Sequence, residues 1–204
     1  MNNNSWAIIF DYGGVLMEWD PVRIFERFFP QGPQATRTFL EEIGFGEWNR
    51  LQDKGRSFAE AIAERSALFP QYAEILPAYD TNWGQAVVGQ IDGTVAILRR
   101  LKRAGYPLYG LSNYSAEKFR LDRQRFDFFN LFDDMVISGE VGLLKPEPAI
   151  FHLLLGKIGY APQKCVFIDD IPANVAGARE VGITGIQFRS PEQLEADLQA
   201  LGIL

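Results

Sequence analysis

The stretch "AIIFDYGGVL", residues 7–16, decides how this chain is read. Its short apolar run is a strand covered on both faces, as in a parallel sheet. The run ends on a carboxylate, Asp11, which would be costly inside a core. Asp11 therefore stands at the rim of the sheet. Gly13 and Gly14 follow, residues that permit a tight turn and close approach of backbone to a ligand.

Four further runs read as strands: "PLYGLS" (107–112), "DMVIS" (134–138), "CVFID" (165–169) and "TGIQF" (184–188). Helical patterns alternate with them at 93–105, 147–159, 172–182 and 190–202, and the first three close on glycine. The last opens with Ser190 as N-cap, Pro191 at the first helical position and Gln193 completing a capping-box pattern. Strands alternating with helices predict an α/β fold, a doubly wound, Rossmann-like parallel sheet. From about residue 17 to 88 this rhythm breaks. No strand is expected there, and helix-like stretches punctuated by Pro and Gly suggest a helical insertion.

The composition is that of a globular chain. Of 204 residues 47% are hydrophobic, with 16 Phe and 4 Trp, so a packed core is feasible. A net charge of −6 argues against non-specific nucleic-acid binding. It leaves room for small anionic substrates, because a site's local field can oppose the net charge. The single cysteine, Cys165, lies in an apolar run and is expected to pack in a strand. The first residues, "MNNNSWAIIF", show no basic or cleavable apolar segment, and no stretch approaches the ~20 apolar residues of a membrane span. A cytoplasmic protein without a membrane partner is expected. Oligomeric state is open.

Ligands of open parallel sheets bind beyond the carboxyl ends of the strands. Those ends carry Asp11, then Ser112 and Asn113 in "GLSNYS", then Asp169 and Asp170 in "FIDDIPAN". Lys145 in "GLLKPEPAIF" stands just before a helix. Each has an ordinary reading alone: the aspartates as caps or turn residues, Ser112 and Asn113 as loop hydrogen-bonders, Lys145 as a solvated charge. Their conjunction argues otherwise, because crowded carboxylates are costly unless a cation joins them. All-oxygen ligands suit Mg²⁺.

The ordered set "FDYGGVL", "LSN", "LLKPEPAIF" and "FIDDIPANVAGAREVG" resembles the haloacid dehalogenase-like hydrolases, in particular a phosphatase branch with a "DxGGV" first motif. The resemblance implies a hydrolase core of residues 1–16 and 89–204, with residues 17–88 as a helical cap. It implies Asp11 as nucleophile forming an aspartyl-phosphate on a small phosphorylated substrate, possible sugar phosphates included. Ser112 would hydrogen-bond a phosphoryl oxygen, with Asn113 beside it, and Lys145 would pair with Asp11 and the phosphoryl group, countering charge. Mg²⁺ would be held by Asp11, Asp170 and the Gly13 carbonyl, with Asp169 acting through a water or from behind these ligands. The cap loop "LQDKGRSF" would offer Asp53, Lys54, Gly55 and Arg56 to the substrate.

Gly13 departs from the family pattern. Most phosphatases of the superfamily carry a second Asp there, which protonates the leaving oxygen and later activates water. Without it, turnover is expected to depend steeply on leaving-group pKa. Two other hydrolytic readings stand. A 2-haloacid dehalogenase needs no acid, but its pattern has a Tyr at the place of Gly13, and Tyr12 is offset. A phosphonoacetaldehyde-type hydrolase uses a cap lysine as a Schiff base, for which Lys54 is the candidate. A non-catalytic binding protein on the same fold is the third alternative. Asp20 is either the cap of the following helix or a substitute acid. His152, in an apolar helical stretch, is expected to pack in the core.

Overall fold

The computed structural model describes residues 6–204. Five strands form one parallel sheet: β1 (Ala7–Phe10), β4 (Leu108–Ser112), β5 (Asp134–Ile137), β6 (Cys165–Asp169) and β7 (Thr184–Gln187), in the order β5-β4-β1-β6-β7. Two more, β2 (Met17–Trp19) and β3 (Val87–Gln90), pair antiparallel as a separate ribbon. The chain leaves β1 toward β4 and β5, then returns to the other side of β1 for β6 and β7. The strand order therefore reverses between β1 and β6, the crevice where ligands of doubly wound sheets bind.

Alternation along the strands sorts the core into two layers. Ile8, Phe10, Val166 and Ile168 point to one face, where the helices Asp92–Arg103 and Pro191–Ala200 cover them through Leu98, Leu101, Leu194 and Leu198. Ala7, Ile9, Cys165 and Phe167 point to the other, under the helices Pro148–Ile158 and Pro172–Glu180. Cys165 is a buried free thiol, as its apolar run implies.

Between β2 and β3 the chain is helical, with longer helices at Pro33–Glu42, Phe45–Asp53 and Phe58–Leu68. Their aromatic residues make a cluster of their own. Trp48 and Tyr79 lie 4.3 Å apart between ring centroids, Phe58 and Tyr79 4.4 Å, and Trp83 reaches Tyr114 of the sheet layer at 6.1 Å. This cluster is continuous with the first core layer.

Three local expectations are corrected. The expectation of no strand within 17–88 fails at its edges, because Met17–Trp19 pairs with Val87–Gln90. A three-residue strand whose partner lies some seventy residues on leaves no period to read. His152 is exposed on its helix, while Ile150, Phe151, Leu154 and Leu155 turn inward. At Ser190, the hydroxyl accepts from the Gln193 amide at 3.2 Å, but the Gln193 side chain accepts from Arg189 rather than closing the box.

Candidate active site

Asp11 follows β1 directly, and its amide extends the ladder to the Ile168 carbonyl at 2.9 Å. Successive residues then point opposite ways. The Asp11 carboxylate faces the crevice, while Tyr12 turns into the core among Phe119, Phe129 and Phe132. Gly110 on the neighbouring strand leaves room for that ring: a Cβ there would stand 2.9 Å from Tyr12 Cε1. The chain next folds back over the Tyr12 carbonyl, which accepts from the amides of Val15, Leu16 and Met17. Gly14 sits in this turn at φ +72°, open to glycine and strained for other residues.

Lys145 is the electrostatic hub. Its buried ammonium lies 2.8 Å from Asp11 Oδ2 and 2.7 Å from Asp169 Oδ2, and donates to the Leu111 carbonyl at 3.0 Å. The loop that carries it is fixed by Asn113, whose side chain donates to the Lys145 carbonyl and accepts from its amide at 3.0 and 2.8 Å. Ser112 lines the same cavity as Asp11. Asp169 is wholly buried and fully engaged: Lys145, both contacts from Asn174 Nδ2, and the Ile171 amide satisfy its two oxygens.

Asp11, Asp169 and Asp170 bring carboxylate oxygens within 4.8 Å of one another. One ammonium cannot balance three such charges. Burial pushes Asp11 up to about 7, against the pull of Lys145 and with the Asp169 charge adding to it. Burial, then the Asp169 charge, raises Asp170 as well. A hard divalent cation fits this donor set. Asp11, Gly13 and Asp170 face the cavity, and among the described residues no protein hydrogen bond engages the Gly13 carbonyl. Asp169, with its oxygens already taken, is suited to hold Lys145 and Asn174 behind them.

Asp11, Gly13, Ser112, Asn113 and Asp170 line a cavity of about 270 Å³ between the sheet and the helical segment. Trp19, Met17, Trp83 and Val87 form apolar walls, and Asn49, Asp53 and Tyr114 add polar groups. Sequence reading missed Trp19, Trp83, Asn49 and Asn174. A sequence pattern does mark Asn174, five residues after Asp169 and on the first turn of a helix, but the other three depend on how the helices dock.

Of the cap-loop candidates, Asp53 lines this cavity and the others do not. Lys54 is exposed in the turn. Gly55, at φ +109°, passes over the Gly139 carbonyl. Arg56 turns back to Gln52 Oε1 at 2.8 Å and to Glu64. Asp20 accepts from the Val22 amide at 3.0 Å and starts the next helix, outside the cavity. Burial pushes the Asp53 carboxyl up to about 7, while the Ser115 amide and the charges of Lys145 and Arg50 pull it down.

The model of the haloacid dehalogenase-like hydrolase family matches residues 7–182. An enzyme of this family from Bacteroides thetaiotaomicron, solved with magnesium and inorganic phosphate, superposes with a TM-score of 0.71 at 26% identity, covering 91% of this chain and 95% of its own. Solved L-2-haloacid dehalogenases, at 18% and 19% identity, share the fold. Drimenol cyclase drtB of Aspergillus calidoustus is 34% identical over 94% of this chain, which spans 35% of that protein. Sesquiterpene phosphatase astK of Aspergillus oryzae is 25% identical, with 89% of each chain covered. The chain spans only 19% of another longer relative. No helix among the described residues is long and apolar enough to cross a membrane. With the family pattern matched over most of its length, this chain belongs to the haloacid dehalogenase-like hydrolases.

Proposed function

We propose that the protein is a Mg²⁺-dependent phosphatase acting on a small phosphate monoester through an aspartyl-phosphate on Asp11. The observation that carries the reading is the pairing of Asp11 with Lys145 beside two further carboxylates, at the mouth of a cavity large enough for a small ester. The relation to an enzyme solved with magnesium and phosphate supports it, as does the relation to astK.

Asp11 Oδ2 is the attacking atom held by Lys145, and Oδ1 is held by the Tyr12 amide at 2.7 Å. Two bonds to one carboxylate fix its direction, so attack on phosphorus needs little reorganisation. Ser112 binds a phosphoryl oxygen, Asn113 beside it holds the Lys145 loop, and Lys145 offsets the charge that collects on the phosphoryl group. Asp11, Asp170 and the Gly13 carbonyl, with Asp169 behind, would hold Mg²⁺, which would supply charge neutralisation. Residues 17–88 act as a cap that excludes water and presents Trp19, Trp83 and Asp53 to the leaving group. Those indole walls take an apolar alcohol or the face of a sugar ring.

The two other hydrolytic readings lose their key residues. Tyr12 is sealed in the core, so it offers no group to a haloacid. Lys54 lies outside the cavity, so it meets no carbonyl substrate there. The test is phosphate release from a panel of monoesters, haloacids and phosphonoacetaldehyde, by wild type and Asp11→Asn. Phosphate release by wild type alone, with an acid-quenched phosphoenzyme, is expected. Halide release, or cleavage of the phosphonate, would replace the reading.

A further inference from the structure

We propose that Asp53 is the proton donor to the leaving oxygen, and then the base that takes a proton from the attacking water. The proposal rests on the phosphatase reading above.

The geometry of the cavity leads to it. Its lining carboxylates are Asp11 and Asp170 on the sheet side and Asp53 on the helical side. Asp11 is the nucleophile and Asp170 faces the cation position, which leaves Asp53 free for proton transfer. The place where the family's usual acid would stand is empty: a Cβ on Gly13 meets nothing within 4 Å. A group from the opposite wall can therefore approach the ester oxygen without obstruction.

Asp53 is also held in place. Gln52 Nε2 donates to the Tyr79 hydroxyl at 3.2 Å, Tyr79 donates to Asn49 Oδ1 at 2.8 Å, and Asn49 Nδ2 donates to Asp53 Oδ2 at 2.9 Å. The Tyr79 bond sets which way the Asn49 amide faces, and so makes it a donor to Asp53. Arg56 anchors the far end through Gln52. Below, the Ser138 hydroxyl donates to the Asp53 carbonyl at 2.5 Å and ties this turn to the end of β5. A relay of this kind is what a group in direct contact with substrate needs, and a solvated turn does not.

Its proton affinity suits the task. A carboxyl pushed up to about 7 by burial holds a proton near neutrality and can still release it. The charged groups acting on it are Lys145 and Arg50.

The step balances. Asp11 Oδ2 forms a bond to phosphorus as the bond from phosphorus to the ester oxygen breaks. That oxygen takes the Asp53 proton and leaves as the alcohol. Water then attacks phosphorus, its proton passes to the Asp53 carboxylate, and the bond between Asp11 and phosphorus breaks to give phosphate. The steep leaving-group dependence expected from Gly13 alone is thereby removed.

The test is a series of phosphate monoesters from a nitrophenyl to a primary alkyl leaving group, with Mg²⁺, on wild type and Asp53→Asn. Quenched samples report the aspartyl-phosphate. Wild type should show a shallow slope of log kcat/KM against leaving-group pKa. Asp53→Asn should lose about a hundred- to ten-thousandfold on alkyl esters and far less on the nitrophenyl ester. It should also accumulate phosphoenzyme, because water has lost its base. A steep slope in wild type overturns the proposal whether or not the variant folds. So does an equal loss on every ester without accumulation. Hydrolysis of no ester and no phosphoenzyme in wild type would instead remove the phosphatase reading, and the proposal with it.

Discussion

Gly14 and Asp170 occupy one another's space: a Cβ at residue 14 would stand 2.6 Å from the Asp170 carboxyl carbon. The second glycine of the opening motif thus makes room for the aspartate of a motif more than 150 residues away, in the crevice between β1 and β6. The first glycine has a different task, since a Cβ there would meet open space.

Gly14→Ala should therefore cost twice. The left-handed backbone strains an alanine by about 1–2 kcal/mol, and the new methyl displaces the Asp170 carboxylate. We expect a lower midpoint in urea unfolding and Mg²⁺ affinity weakened at least about tenfold by calorimetric titration. Unchanged Mg²⁺ affinity would mean that Asp170 does not face the cation.

Lys145 offsets two buried carboxylates at once. Removing one partner of a buried ion pair leaves an uncompensated charge, at a cost of about 3–5 kcal/mol. Lys145→Met should lose stability on this scale when unfolded by urea without divalent cations. Adding Mg²⁺ should recover part of the loss by neutralising the same carboxylates. A loss under ~1 kcal/mol would show that the pair contributes little.

The adjacent aspartates should separate in the same assay. Asp170 has oxygens facing the cavity, whereas Asp169 is committed to Lys145, Asn174 and the Ile171 amide. Asp170→Asn should weaken Mg²⁺ binding with little change in stability. Asp169→Asn should destabilise the fold first. In wild type, EDTA should abolish phosphate release and Ca²⁺ should inhibit, because it favours looser and higher coordination than an octahedral site gives. Full turnover in excess EDTA would argue for a metal-independent hydrolase.

Much of this was legible in the chain because it is local or periodic. The five sheet strands are apolar runs, and the rim residues stand where those runs end. What was not legible depends on docking. The ribbon of Met17–Trp19 and Val87–Gln90 is too short to carry a period and exists only because the helical segment closes on itself. His152 was misread because Leu153 beside it is apolar yet 40% exposed, which blurred the helical face. In "LQDKGRSF" the composition offered three charged candidates and a glycine, and only the turn at Gly55 decides that Asp53 faces the cavity while Arg56 turns back to Gln52. The raised proton affinity of Asp53 is a property of its tertiary surroundings.

That affinity has a consequence for stability. In the folded chain Asp53 keeps its proton up to about 7, whereas its ordinary value is 3.8. Between those two pH values the folded state binds the extra proton. Stability from this group is therefore full at low pH and falls as pH rises toward 7. Asparagine has nearly the same shape, makes the neutral contacts and does not titrate. The urea midpoint of Asp53→Asn should match wild type near pH 4 and exceed it increasingly up to about pH 7, with the gap constant above. Lys145 and Arg50, the charges that act on Asp53, are common to both chains, as are the other carboxylates. The expected variant is more stable at pH 8 and worse at releasing alkyl alcohols, a trade that marks a residue kept for chemistry rather than for the fold. A gap independent of pH would show that Asp53 is ionised in the folded protein across this range, and would leave it no proton to give.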